Sequence, residues 1–132
     1  MKPDKERVLI VEDSRTVASV VGHFLQLEGF DVLVASDGLV GLETARRERP
    51  ALIVTDVNMP GMGGLDMVKA LRADARTRDI TICMLTSDES AEAKQQALAV
   101  GADDYLVKPV EPRRLAAHVR AVMDRTGSTL HE

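Results

Sequence analysis

Six side chains spread along the chain have the types that metal-assisted phosphoryl chemistry uses. Glu12 and Asp13 follow one apolar run, Asp56 ends a second, Thr86 and Ser87 follow a third, and Lys108 stands after a fourth, before Pro109. A carboxylate at the C-terminal edge of a buried parallel strand lies where α/β sheets present functional groups. Taken alone, Asp56 reads equally well as a turn residue, because Asn58, Pro60 and the glycines up to Gly64 stop the strand. Glu12 and Asp13 alone read equally as a helix-cap pair. Brought to one sheet edge, however, three carboxylates are costly unless a cation offsets their charge. Hard oxygen donors suit Mg²⁺, which keeps several waters and takes one or two carboxylates plus a phosphate. In this reading Asp13 and Asp56 are direct ligands, Glu12 acts through water, and the Asn58 backbone carbonyl completes the shell. With Lys108 and the cation neutralising charge, the Asp56 carboxylate can attack phosphorus in line and form an aspartyl phosphate. Lys108 and Thr86 then hold phosphoryl oxygens, with Ser87 secondary.

Positioning these residues requires five strands that end near them. Arg7 to Val11 is a short β-branched run, and Ser14 is the N-cap of a helix whose apolar positions Val17, Val21, Phe24 and Leu25 recur at helical spacing, closed by Gly29. Phe30 to Ala35 is a second strand, followed by a helix through Leu39, Leu42 and Ala45. That helix ends in the Arg46 to Arg49 stretch, read as a solvated terminus, before Pro50. Ala51 to Thr55 is a third strand, apolar throughout as a strand covered on both faces should be. A helix from Leu65 to about Ala73, a strand over Asp79 to Leu85, and a helix over Glu89 to Val100 follow. Asp104 to Val107 is the fifth strand, and Pro112 opens a last helix to about Arg125, with a tail over 127–132 expected to fray. This alternation predicts a parallel sheet with helices on both faces and right-handed crossovers, in one domain over 1–126.

Composition narrows the function classes. The 132 residues carry a net charge of −4, which opposes a primary nucleic-acid or anionic-membrane surface. Two Phe and one Tyr cannot make a stacking platform for single strands. Cys83 is the only cysteine, so no internal disulfide forms, and its apolar neighbours suggest a buried, inert thiol. No apolar stretch reaches spanning length and no signal-like segment opens the chain, so a cytoplasmic protein is expected. His23, His118 and His131 show no ligand spacing and read as surface residues.

Four motifs in order, Val11-Glu12-Asp13-Ser14, Asp56 to Gly64, Leu85-Thr86-Ser87 and Gly101 to Pro109, resemble the receiver domain of two-component response regulators, the chemotaxis-regulator-like class. The resemblance covers about residues 6 to 125. It implies a flavodoxin-like three-layer (βα)5 fold with strand order 2-1-3-4-5, and phosphorylation of Asp56 from a histidine kinase or phosphotransfer protein with Mg²⁺. It also implies a switch in which Thr86 moves toward the phosphoryl group and Tyr105, otherwise equally a half-buried surface aromatic, turns inward. The fourth helix, fifth strand and fifth helix would then present an altered surface to a downstream target or output domain. Such a domain catalyses only its own phosphorylation and slow dephosphorylation. The resemblance further implies a cis Lys108–Pro109 bond. Glu12 stands where the family usually has Asp, Gly63 where it often has Asp, and Val110 where it often has Phe, so looser packing is expected after strand five. Arg114 and His118 occupy the charged positions of the last helix, which departs from the Glu-Leu-x-Ala-Arg-Val pattern of OmpR-type dimers.

The alternative reading is a Mg²⁺-dependent phosphohydrolase working through an aspartyl phosphate, but its acid/base Asp two residues after the nucleophile is here Asn58. A nucleotide or flavin binder is disfavoured because Gly61 to Asp66 completes neither a phosphate loop nor a dinucleotide fingerprint. A degenerate docking domain is opposed by the intact acidic pair and Lys108. The chain reads equally as a stand-alone regulator or as the receiver part of a longer protein.

Overall fold

A computed structural model describes residues 5–131, with side chains through Arg125. Five parallel strands, β1 (Arg7–Val11), β2 (Asp31–Ala35), β3 (Leu52–Asp56), β4 (Thr81–Thr86) and β5 (Asp104–Val107), form one sheet in the order β2-β1-β3-β4-β5. They alternate with α1 (Arg15–Leu27), α2 (Gly38–Glu48), α3 (Gly64–Ala73), α4 (Ala91–Val100) and α5 (Pro112–His131). Strand and helix boundaries lie within about two residues of the expected ones, as cap geometry rather than composition sets them, except that α5 continues past Arg125. The tail 127–132 lies outside the residues described in full.

Local chemistry explains the boundaries. The Ser14 hydroxyl accepts from Val17 N at 3.2 Å and the Asp37 carboxylate from Val40 N at 2.9 Å, so both caps satisfy donors that the first helical turn leaves free. After α1, Gly29 turns the chain at φ 97°, a left-handed conformation in which only glycine avoids a Cβ penalty. Both faces of the sheet are covered. Val8, Ile10, Val54 and Leu85 pack under α1 and α5, whereas Leu9, Val11, Ile53, Ile82 and Met84 pack under α2, α3 and α4. The alternation along each strand follows the two-residue period of the pleat, and β3 is buried at all five positions. On the α1–α5 side, Arg120 lies 4.1 Å from the Phe30 ring centroid and donates to the Glu28 carbonyl at 2.6 Å, fastening α5 to the end of α1.

Two expectations are corrected. The Arg46 to Arg49 stretch is not simply solvated: Arg46 Nε lies 2.9 Å from Asp74 on α3, and Glu48 accepts from Arg7 at 2.7 Å, so this helix end tethers α3 and β1. Nor is His118 a plain surface residue, because α5 lays its ring against Asp104. The spacing of isolated histidines along a sequence carries no trace of such a contact. His131 lies outside the described side chains.

Candidate functional site

The parallel register brings the C-terminal ends of β1, β3, β4 and β5 to one edge. Val11 pairs with Thr55, Asp56 with Leu85, and Thr86 with Val107, so Glu12, Asp56, Thr86 and Lys108 emerge at the same level. Glu12 is 6 % exposed and Asp56 only 4 %, while Asp13 and Asn58 are open to solvent. Carboxylate oxygens of Glu12, Asp13 and Asp56 lie within 4.8 Å of one another. Lys108 Nζ sits 2.6 Å from Asp56 Oδ1 and 3.8 Å from Glu12 Oε1. That approach makes an ion pair but not an aligned hydrogen bond, and Asp56 Oδ1 is buried with no hydrogen-bond partner. A buried acceptor in this condition is the exception in folded proteins.

The electrostatics follow from the count of charges. One ammonium faces three carboxylates, and the Glu12 carboxyl is held above its ordinary value, first by burial and then by its hydrogen bond to Asp56. Ser14 N donates to Glu12 Oε2 at 3.0 Å and opposes that shift only in part. The donors are all oxygen, the charge is in excess, and one buried oxygen lacks a hydrogen bond, so the residues fit a hard divalent cation such as Mg²⁺.

The backbone is built to bring α3 close. A Cβ on Gly64 would lie 2.2 Å from the Asp56 carbonyl oxygen, so only glycine admits this helix start beside the end of β3. Gly64 N donates to Val57 O at 2.8 Å and closes the loop that carries Asn58. Across the edge, the buried Thr86 hydroxyl accepts from Asp88 N at 3.0 Å, and the Tyr105 hydroxyl donates to Asp88 O at 2.5 Å. A cavity of about 160 Å³ lies between Asn58, Thr86, Tyr105 and the Ala93–Gln96 turn of α4. The Lys108–Pro109 bond is cis. On the other side of Lys108, an apolar cavity of about 370 Å³ opens among Val17, Val20, Val21, Val110 and Leu115, in keeping with the small side chain at 110.

All the sequence-predicted site residues therefore lie along one edge. Glu12, Asp13, Asp56 and Lys108 form a cluster, and Asn58, Thr86 and Tyr105 line the adjoining cavity. Asp88, two residues beyond Thr86, reads from the sequence as flanking the route of attacking water; its backbone contacts to Thr86 and Tyr105, and the tight fit at Gly64, were not foreseen. The close approach at Gly64 was foreshadowed only by the glycine pair at 63 and 64.

The response regulator receiver domain family matches residues 8–120, and the chain belongs to that family. Its sheet is the flavodoxin-like five-stranded arrangement, and its class is that of signalling domains, not of dedicated enzymes. The chain is 42 % identical over 123 residues to the transcriptional regulatory protein PrrA of Mycobacterium tuberculosis, covering 93 % of this chain and 52 % of PrrA. It is 39 % identical over 121 residues to the DNA-binding response regulator MtrA of the same organism, covering 92 % and 52 %. The chain thus spans about half the length of these curated relatives. The structure of chemotaxis response regulator CheY4 of Vibrio cholerae superposes with a TM-score of 0.84 at 40 % identity, covering 90 % of this chain and 99 % of that one. Among the described residues no helix is long and apolar enough to cross a membrane.

Proposed function

We propose that this domain is a phosphorylation-activated receiver. It accepts a phosphoryl group from the phosphohistidine of a histidine kinase or phosphotransfer protein onto Asp56, and in response alters the α4–β5–α5 surface that controls a downstream partner or output domain. The observation that carries this reading is Asp56 Oδ1, buried and without a hydrogen bond, 2.6 Å from the Lys108 ammonium. The Asp56 oxygen attacks phosphorus, the phosphorus–nitrogen bond to the imidazole breaks, and its electron pair stays on the ring nitrogen, which is then protonated. Lys108 moves from the carboxylate to a phosphoryl oxygen, and the Thr86 hydroxyl turns from Asp88 N to donate to another. Asp13, Asp56, the Asn58 carbonyl and, through water, Glu12 would hold Mg²⁺, which would supply charge neutralisation for the incoming phosphoryl oxygens. As Thr86 leaves, the cavity beside it gives Tyr105 room to turn inward, releasing Asp88 O and remodelling the start of α4.

Exposed Asn58 carries no titratable proton, which disfavours the phosphohydrolase, since the acid/base such an enzyme uses two residues after the nucleophile is lacking. The regulatory and DNA-binding roles of relatives such as PrrA and MtrA suggest an output of that kind in any longer protein containing this chain. The test is intact mass after incubation with Mg²⁺ and a small phosphodonor, together with the beryllofluoride-induced spectroscopic shift. Wild type should gain a single phosphoryl group that Asp56→Asn and chelation of Mg²⁺ both abolish. An adduct that survives Asp56→Asn overturns the assignment, and rapid multiple turnover of the donor establishes the hydrolase instead.

A further inference from the structure

The sheet carries a second cluster of ligating side chains outside the acidic edge. Cys83 on β4 and Asp104 on β5 are direct partners in the strand register, and α5 lays His118 across them. One ligand atom from each of the three residues lies within 4.8 Å of the others. We propose that Cys83, Asp104 and His118 form a second metal site, selective for a zinc-class transition-metal cation over Mg²⁺.

The donor set argues for this class. Thiolate and imidazole are ligands that Zn²⁺ prefers and that Mg²⁺, which favours oxygen and water, does not. Burial is graded as an open tetrahedral site requires. Cys83 forms the floor at 1 % exposure, while the Asp104 and His118 side chains are 28 % and 34 % exposed and leave an entry path and a fourth position for water. The carboxylate is already oriented from outside the site: Asp104 Oδ1 accepts from Tyr105 N at 2.8 Å, which leaves Oδ2 directed at His118. Bond lengths of about 2.0 to 2.3 Å to one tetrahedral ion place its ligand atoms within about 4 Å of each other, close to the 4.8 Å within which these three already lie.

Burial and the charge of Asp104 push the Cys83 thiol up to about 12, so the free thiol is neither a nucleophile nor a redox sensor at neutral pH. Binding is therefore a proton exchange. The metal forms a bond to sulfur, the S–H bond breaks, and the proton leaves to solvent with no change of oxidation state. The metal also takes the place of the hydrogen bond between His118 and Asp104. Three elements, β4, β5 and α5, would then be tied through one ion, beneath the surface that Proposed function assigns to output.

Cys83 is the single cysteine of the chain, which makes the test specific. Tag-free, reduced protein is titrated with Co²⁺ in Mg²⁺ buffer while the thiolate-to-cobalt charge-transfer band is followed in the near ultraviolet, and Zn²⁺ is then added. The expected result is a band that saturates at one equivalent, collapses on addition of Zn²⁺ and is absent in Cys83→Ser. His118→Ala changes a partly exposed side chain and should fold, and it should bind Co²⁺ at least about 100-fold more weakly, beyond the loss of an outer-shell partner. No band at a large excess of Co²⁺ overturns the proposal, as does a band of undiminished affinity in His118→Ala.

Discussion

At the edge of the sheet opposite the acidic site, Arg72 leaves the last turn of α3 and uses its whole guanidinium. Its Nε and Nη2 donate to Gly101 O at 3.0 and 2.8 Å, Nη1 to Arg78 O and Ile80 O at 2.6 and 2.7 Å, and Nη2 also to Asp103 Oδ2 at 2.9 Å. Asp103 in turn accepts from Ile82 N at 2.8 Å. At the acidic edge the balance is reversed: three carboxylates share one ammonium, and Asp56 Oδ1 has no hydrogen bond. The first node spends its polarity on closing the α3–β4 and α4–β5 junctions. The second keeps polarity unsatisfied, which is useful only where something is to bind. Arg46 Nε beside Asp74 is likewise buried without a hydrogen bond, so what sets the acidic edge apart from the Arg72 node is its excess of like charge, three carboxylates to one ammonium, together with an unsatisfied acceptor.

The largest effect that would break this contrast is at Arg72. Arg72→Ala strips partners from three backbone carbonyls at once and should lower stability by on the order of 3 kcal/mol, read from denaturant midpoints at unchanged slope. Arg72→Lys should recover little of it, since an ammonium cannot reproduce a planar fork that reaches several acceptors. By contrast, Asp56→Asn in Mg²⁺-free buffer should shift stability by less than about 1 kcal/mol in either direction. It removes one of the mutually repelling carboxylates, and Lys108 keeps Glu12 as a partner. A loss at Asp56 as large as that at Arg72 would make the acidic edge structural and remove the distinction.

The two nodes also differ in how legible they are in sequence. Glu12, Asp13, Asp56, Thr86 and Lys108 could be read because each is a polar residue that interrupts an apolar strand at its C-terminal end, where the fold class itself predicts a site. Arg72 could not be read, because its partners are carbonyls, which every residue has, contributed by segments brought together by folding. Cys83, Asp104 and His118 were hidden for a related reason: strand register and helix placement unite them, not spacing. The strands were legible from their continuous apolar runs. The start of α1 was legible because Ser14 caps it as read, whereas α4 begins two residues later than expected because Ser90 caps it.

A smaller effect sharpens the comparison on the side of paired charges. Asp74, at the end of α3, accepts from Arg76 through side chain and backbone and pairs with Arg46 at 2.9 Å; these contacts, led by the Arg76 side chain, hold its carboxyl well below the usual carboxylate range. A carboxyl depressed in the folded state binds its proton more readily when unfolded, so stability falls as pH drops from the ordinary value of 3.8 toward the lower folded one. Asp74→Asn should therefore reduce the unfolding temperature modestly at neutral pH. The difference from wild type should stay constant down to about pH 5 and shrink steadily on further acidification, as wild type gives up a contribution the variant never had. Thermal unfolding of both proteins across that acid limb gives the answer. A gap that stays constant to the lowest pH would mean that Asp74 acts by shape and not by charge, and that this end of α3 is held by packing rather than by its two arginines.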